Sequence, residues 1–547
     1  MLYEKYVKET IDADGKLSAI KFNIPEDFNF GFDIVDKHAE DMPDKLAMIW
    51  CNVDGIEKRF TFKDISVYSN KVANYFTRCG IKRGDKVMLI LKRHFEFWFS
   101  IVALHKIGAV VIPATHLLVE HDLTYRFNAA HVSAVVCTSD GELAGEIEKA
   151  EKNSHNLNVK IITHQKRDGW HFFDDAYDCE DTFVPEVRNS KDDTMLMYFT
   201  SGTTGNPKIA AHSYTYPLGH FITAKWWHNV DTGADGLHFT VSDTGWGKAV
   251  WGKLYGQWIM GATVLTYDFD KFNPNDMLTI MEKYRITTFC APPTIYRFFI
   301  KEDLSKYNLS SLKYATIAGE ALNPEVFKQF KQATGISLME GFGQTETTMT
   351  IGNLLGMEPR PGSMGKPSPM YHVRLVDYNG NDVATGEVGE VIIKDDCQCG
   401  LFKGYYELPE QTKEVWHDGY YHTGDTAWKD EEGYFWYEGR VDDLIKSSGY
   451  RIGPFEIESI LMEHPSVLEC AVTGVPDAIR GQVVKATVVL TKNALPTEQL
   501  KKQLQNYVKE HTAPYKYPRI VEFVDELPKT ISGKIKRAEL RKADMNK

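Results

Sequence analysis

Between residues 64 and 79 the apolar positions Ile65, Tyr68, Val72, Tyr75 and Phe76 recur at the spacing of one helix face, and Gly80 follows as a stop. The run Lys86-Val87-Met88-Leu89-Ile90-Leu91 then reads as a strand, 96–107 as a second helix, and Ala109-Val110-Val111-Ile112, ended by Pro113, as a second strand. This alternation persists over the first 340 residues or so, which predicts an α/β fold of parallel and mixed sheets flanked by helices. From 371 to 393 the texture changes to short strands with Asn379-Gly380 and Thr385-Gly386 turns, the pattern of a small antiparallel unit. Residues 441–547 carry strands of their own at 468–473 and 483–490. The expected organisation is a large domain over 1–439 and a small α+β domain over 440–547, with the boundary at 439–442.

The strand-like segment Met195-Leu196-Met197-Tyr198-Phe199 runs into Thr200-Ser201-Gly202-Thr203-Thr204-Gly205-Asn206-Pro207-Lys208. Glycines let a backbone approach a bulky anion, free N–H groups and hydroxyls cradle phosphate, and Lys208 adds a point charge. Taken alone, such a stretch fits a plain surface loop as well as a phosphate cradle. It is not a Walker loop, because Pro207 precedes the lysine and Ile209 follows it.

Further blocks follow in order: Glu340-Gly341-Phe342-Gly343-Gln344-Thr345-Glu346, Tyr421-His422-Thr423-Gly424-Asp425, Gly439-Arg440-Val441-Asp442-Asp443 with Lys446-Ser447-Ser448-Gly449-Tyr450-Arg451, and Leu527-Pro528-Lys529-Thr530-Ile531-Ser532-Gly533-Lys534. Over nearly its whole length the chain resembles the adenylate-forming superfamily of acyl-CoA synthetases, nonribosomal-peptide adenylation domains and luciferases. Through Ser242-Asp243-Thr244-Gly245-Trp246-Gly247-Lys248 and Ala513-Pro514-Tyr515-Lys516-Tyr517-Pro518 it is most similar to the medium-chain acyl-CoA synthetases.

The resemblance implies a two-step ligase. ATP and a small-molecule carboxylic acid give an acyl-adenylate and pyrophosphate, and coenzyme A then takes the acyl group. Charge neutralisation and alignment supply most of such a barrier reduction. By resemblance 200–208 holds the β- and γ-phosphates, Gly319-Glu320-Ala321 flanks the adenine, and 340–345 completes the nucleotide site. Glu346, with Thr203, is expected to hold Mg²⁺, a hard cation that prefers oxygen. Thr345 and Glu346 join Lys534 as the catalytic residues. Asp425 is the ribose candidate, since a carboxylate accepts from two hydroxyls; a turn aspartate is the alternative. Arg440 pairs with ribose or phosphate. Lys534 reaches the acid and the α-phosphate, although 529–547, with seven Lys/Arg against two Asp/Glu, also reads as a solvated basic face of local charge +5. The small domain is expected to turn about Asp442, bringing Ser448, Gly449 and Tyr450 to coenzyme A with Arg451 and Arg480 as phosphate contacts.

For the acyl pocket, acetate-activating relatives have Trp-Trp-Gln-Thr-Glu where this chain has Phe342-Gly343-Gln344-Thr345-Glu346. Gly343 removes the second tryptophan wall, so the expected acid is longer than acetate: four to ten carbons, branched, or aromatic. Trp246, Trp251, Phe221 and Cys290 are wall candidates, each equally readable as core packing. Lys248 has no obvious place in an apolar site.

A net charge of −12 argues against a nucleic-acid surface, and eight scattered cysteines without C-x-x-C spacing argue against zinc. No apolar run reaches membrane-spanning length, and Met1-Leu2-Tyr3-Glu4-Lys5-Tyr6 lacks a secretory signal pattern, so a cytoplasmic protein is expected, without membrane insertion. Two alternatives stay open: a stand-alone adenylation enzyme loading a carrier protein, and a non-catalytic nucleotide- or CoA-binding paralogue.

Overall fold

The computed structural model describes residues 1–200, 206–320, 322–448, 450–529 and 535–545. The first helical stripe forms Phe62–Arg78, and its start is set by a reciprocal cap: Thr61 Oγ1 accepts from the Asp64 amide while the Asp64 carboxylate accepts from the Thr61 amide. The second helix, Glu96–Ile107, is buried along its whole length. A helix that is apolar nearly all round belongs between layers. Its one enclosed cation, Lys106, donates to Asp36 at 2.6 Å and to Asn70 at 2.7 Å.

The strand Lys86–Ile90 pairs in parallel with Val110–Pro113 and Val132–Cys137. Among the described residues these belong to an eight-stranded sheet that also holds Thr194–Thr200. A second, fourteen-stranded sheet has a parallel centre formed by Val264–Asp268, His238–Thr240, Thr288–Ala291, Tyr314–Ile317 and Leu338–Phe342. The antiparallel pair Val373–Val376 and Gly389–Lys394 is present and is not isolated. It continues through Tyr420–Lys429, Phe435–Arg440, Ser363–Pro367 and Ile351–Gly352 into the edge of the parallel strands. That continuity carries Asp425 to the C-terminal ends of the parallel strands, where open α/β sheets hold their ligands.

Beyond Arg440 a five-stranded sheet begins with Ile445–Ser447 and centres on the antiparallel pair Val467–Asp477 and Gly481–Leu490. Its core is its own: Ile445, Ile457, Leu461, Val472, Val484 and Leu504 cluster apart from the large-domain cores. The two parts meet where Asn323 Nδ2 donates to the Ser459 carbonyl at 3.2 Å and the Gly453 amide donates to Glu438 at 3.1 Å. All eight cysteines are free thiols. No helix among the described residues is long and apolar enough to cross a membrane.

Candidate active site

Thr194–Thr200 and Lys208–Ser213 are antiparallel neighbours with Thr200 opposite Lys208. The two ends of the 200–208 segment therefore lie side by side; Ser201, Gly202, Thr203, Thr204 and Gly205 lie outside the described residues. Tyr125 donates its hydroxyl to the Pro207 carbonyl at 2.9 Å, and Asn206 is exposed. Lys208 lies 4.7 Å over the Tyr405 ring, and the Tyr405 hydroxyl donates to Glu346 Oε1 at 3.0 Å. One aromatic ring thus couples the phosphate-loop lysine to the expected metal carboxylate. No motif pointed to Tyr405; its strand, Gly404–Tyr405, reaches the site by pairing with Lys208–Ser213.

Glu346 is buried, and burial pushes its carboxyl above the usual range against the pull of Tyr405 and the Arg440 charge. Its segment is docked from two sides. His212, held neutral by burial with a pKa lowered to about 4, donates from Nε2 to the Thr345 carbonyl at 2.8 Å. The Phe402 amide donates to the Glu346 carbonyl at 2.8 Å.

Gln344 ties this segment to the ribose candidate. Its Nε2 donates to Asp425 Oδ2 at 2.5 Å and to the Thr423 carbonyl at 2.8 Å, while Tyr421 donates to its Oε1 at 2.6 Å. Asp425 sits opposite Arg440 across the strand pair, with Arg440 Nη1 3.5 Å from its Oδ1. Gly424 permits that approach: its φ is +68°, and a Cβ there would lie 2.8 Å from Arg440 Nη2. Arg440 also donates to the Thr423 carbonyl at 3.0 Å and stands 3.6 Å from Asp442.

Glu340 is the central residue of the strand Leu338–Phe342; its Oε1 accepts from the Leu322 amide at 3.2 Å, and its Oε2 is buried without a partner among the described residues. Burial raises its carboxyl to about 8. Gly319 turns with φ +109°, Glu320 faces Arg297 at 3.4 Å, and Ala321 lies outside the described residues.

The acyl-wall candidates separate. A Cβ on Gly343 would lie 2.4 Å from Trp251 Cη2, so the indole of Trp251 occupies the space that the missing side chain leaves. Trp251 is held by its Nε1, which donates to the Tyr216 hydroxyl at 3.2 Å. Likewise a Cβ on Gly341 would lie 2.6 Å from the Trp227 ring. Phe342 is half-buried, 6.4 Å from the Tyr437 ring. Trp246 is half-buried at the N-terminal cap of Gly247–Lys253; its loop is clamped where Arg93 meets Asp243 at 3.1 Å. Cys290 is buried in Thr288–Ala291, and Phe221 packs 4.8 Å from Tyr3. Lys248 points inward: its ammonium donates to the Ala318 carbonyl at 2.7 Å, bracing the turn beside Gly319.

The coenzyme A candidates form a second group, on the five-stranded sheet. Ser448 has φ +51°, and its amide donates to the Arg480 carbonyl at 2.9 Å. Tyr450 stacks on Tyr515 at 4.1 Å, and the Arg480 amide donates to Asp477 at 2.8 Å. Arg451 lies opposite Lys446 in its strand. Gly449 and Lys534 lie outside the described residues.

Among the described residues the one group of metal-competent side chains, His94, Asp140 and His164, has donor atoms within 4.8 Å of one another. It is already an ion-pair knot: Lys92 meets Asp140 at 2.8 Å and Asp268 meets His94 Nδ1 at 2.7 Å. Against burial, which lowers it, Asp140 and Asp268 raise His94 to about 9, the charged form rather than a ligand.

The profile of the AMP-binding enzyme family matches residues 35–406, and that of the AMP-binding enzyme C-terminal domain matches 456–534. The chain belongs to the AMP-binding enzyme family. It is 41% identical over 543 residues to acyl-coenzyme A synthetase ACSM3, mitochondrial, of Mus musculus, covering 96% of this chain and 92% of that one. With the human acyl-coenzyme A synthetase ACSM4, mitochondrial, it shares 40% identity over 530 residues, 95% and 91% of the two chains. Among solved structures, an anthranilate CoA ligase, AuaEII, bound to anthranoyl-AMP superposes with a TM-score of 0.86 at 30% identity, covering 96% and 98%. A benzoate CoA ligase from Burkholderia xenovorans LB400 gives 0.81 at 25%, covering 94% and 100%. The enzyme is an acyl-CoA synthetase: it activates an acid with ATP as acyl-AMP and passes the acyl group to coenzyme A. The cytoplasmic expectation is overturned, because these curated relatives are mitochondrial. The pattern it rested on concerns secretory signals and is silent about import into an organelle.

Proposed function

We propose that this ligase takes an acid larger than acetate and that its two half-reactions are divided between the two groups of residues above. The observation that carries the reading is the hydrogen bond from Gln344 to Asp425, which joins two motifs 81 residues apart into one nucleotide wall. In the first half-reaction a carboxylate oxygen attacks the α-phosphorus and pyrophosphate leaves. Asp425 holds the ribose hydroxyls, Lys208 and the 200–208 loop take the β- and γ-phosphates, and Glu340, whose Oε2 is buried without a partner among the described residues, is the candidate contact for the adenine. Glu346 fits a hard divalent cation such as Mg²⁺, because burial disfavours its bare charge and a bound cation relieves that cost. The cation supplies charge neutralisation on the phosphates; Thr203 is the second candidate oxygen. Lys534 meets the charge that develops between acid and α-phosphate.

In the second half-reaction the coenzyme A sulfur attacks the acyl carbon and AMP leaves. Ser448, Gly449 and Tyr450, with Arg451 and Arg480, form the face that the small domain presents after turning about Asp442. The domain division at 439–442 belongs to this reading.

For the acid, Gly343 shortens nothing, and the Trp251 indole behind it sets the depth. Anthranilate and benzoate are the substrates that two structural neighbours are named for, and a flat ring or a chain of four to ten carbons suits an indole-backed slot. Pyrophosphate release with ATP, Mg²⁺ and coenzyme A, measured from acetate to decanoate with benzoate and amino acids, tests the reading. A CoA-dependent maximum at four to ten carbons or at benzoate is expected. Turnover confined to amino acids overturns it in favour of a carrier-loading enzyme, and binding without turnover favours a non-catalytic paralogue.

A further inference from the structure

Two stems bracket the segment 530–534. On the N-terminal side Lys529 pairs with Glu469 at 2.7 Å and bridges Ile535 as an isolated antiparallel contact. On the C-terminal side the Lys536 amide donates to the Pro528 carbonyl at 2.8 Å, and Arg537 forks onto Glu458. The fork is close: Arg537 Nη2 lies 2.6 Å from Glu458 Oε2 and 2.8 Å from Oε1, and Nε lies 3.1 Å from Oε1. Glu458 is only 4% exposed, and its Oε1 also accepts from the Val472 amide at 2.8 Å. It therefore links the helix Pro454–Glu463, the strand Val467–Asp477 and the base of the lysine-bearing segment. Arg537 also lies 4.0 Å from Asp443, the neighbour of the expected hinge residue, and Arg541 pairs with that same carboxylate.

We propose that Arg537 is a positioning residue for adenylation: by forking onto buried Glu458 it fixes the stem three residues after Lys534. The inference rests on the role assigned to Lys534 in the proposed function. A long flexible lysine is a point charge, and its effect on a transition state depends on where its backbone is held. A planar guanidinium gripping both oxygens of an enclosed carboxylate gives a directional anchor, whereas the exposed Lys536–Glu539 pair beside it does not. Glu458 and Arg537 both belong to the small domain, so the anchor turns with it. Coenzyme A transfer, which Lys534 does not serve, is independent of this anchor.

The test separates the half-reactions in the full chain. In Arg537→Gln, adenylation measured by acid-dependent pyrophosphate exchange is expected to fall on the order of 10²-fold, the scale of a misplaced catalytic group. KM for ATP is expected to stay within about twofold, and thioester formation from supplied acyl-AMP within about threefold. Arg537→Lys, which keeps the charge and loses the fork, is expected to recover part of the rate; Glu458→Gln reproduces the loss with the arginine intact. Unchanged adenylation in Arg537→Gln overturns the proposal. So does a parallel fall in both half-reactions with a lowered melting temperature, the signature of a structural role. A wild-type chain without either half-reaction overturns the ligase reading itself.

Discussion

The wall assigned to the nucleotide and the face assigned to coenzyme A are built differently. Around Glu346 and Asp425 nearly every polar group is enclosed and has several partners: Gln344 engages Asp425, Thr423 and Tyr421 at once. Around Tyr450 and Arg480 the contacts are open: Tyr450 is 50% exposed and stacks on Tyr515, which is also exposed. A buried network in low dielectric is stiff and amplifies charge, which suits a step dominated by electrostatics on phosphate. An open face that must meet the site, bind coenzyme A and leave again gains from being wet and loosely tied. The contrast implies that substitutions in the wall strike the first half-reaction and substitutions on the face strike the second.

The sharpest way to break that contrast is Lys534→Ala. Adenylation should fall about 10²- to 10³-fold while thioester synthesis from supplied acyl-AMP survives; equal loss in both assays would dissolve the division. Gly449→Leu is the mirror test: pyrophosphate exchange should persist while thioester formation drops at least on the order of tenfold, because a side chain would fill the thiol path. Trp251→Ala should move the preferred acid to longer chains, with a change of roughly tenfold per methylene in kcat/KM read across a homologous series. An unmoved optimum would place the pocket's end elsewhere. Tyr405→Phe removes one hydrogen bond to Glu346 and should cost about 1 kcal/mol, a roughly fivefold rise in the Mg²⁺ or ATP requirement with coenzyme A kinetics unaffected.

The last test reads stability rather than rate. Glu340 is raised from 4.5 to about 8 in the folded chain, so between these values the native state holds a proton that the unfolded chain has lost. Its contribution to stability is full below the unfolded value and is lost as pH rises toward 8. The melting temperature should therefore slope downward from pH 5 to 8.5, and Glu340→Gln should flatten that slope by at most about 1.4 kcal/mol per pH unit.

Much of this was legible along the chain. The periodicity of Ile65, Tyr68, Val72 and Phe76 located Phe62–Arg78, and the alternation of apolar runs located the parallel strands, because both depend on local spacing and on one buried face. The blocks ending in Lys208, Glu346 and Asp425 stood out as candidates for a similar reason: the phosphate, metal and ribose roles proposed for them each demand particular residue types on short turns. Nothing local marked Tyr405 or His212, whose value lies in partners 59 and 133 residues away. Gly343 taught the same lesson in reverse. Its sequence context announced an open wall, and Trp251, 92 residues earlier, stands in the opening.

The sequence alone determined the α/β class, the order of the chemical motifs and the net charge. These are properties of spacing and composition, and they survive any rearrangement of distant segments. Tertiary structure alone decided that Gln344 bridges to Asp425, that Lys248 turns inward to the Ala318 carbonyl, and that Arg537 grips Glu458. Each of these depends on burial that several strands and helices create together. Only there is a polar group deprived of water and compelled to find its partner across the fold.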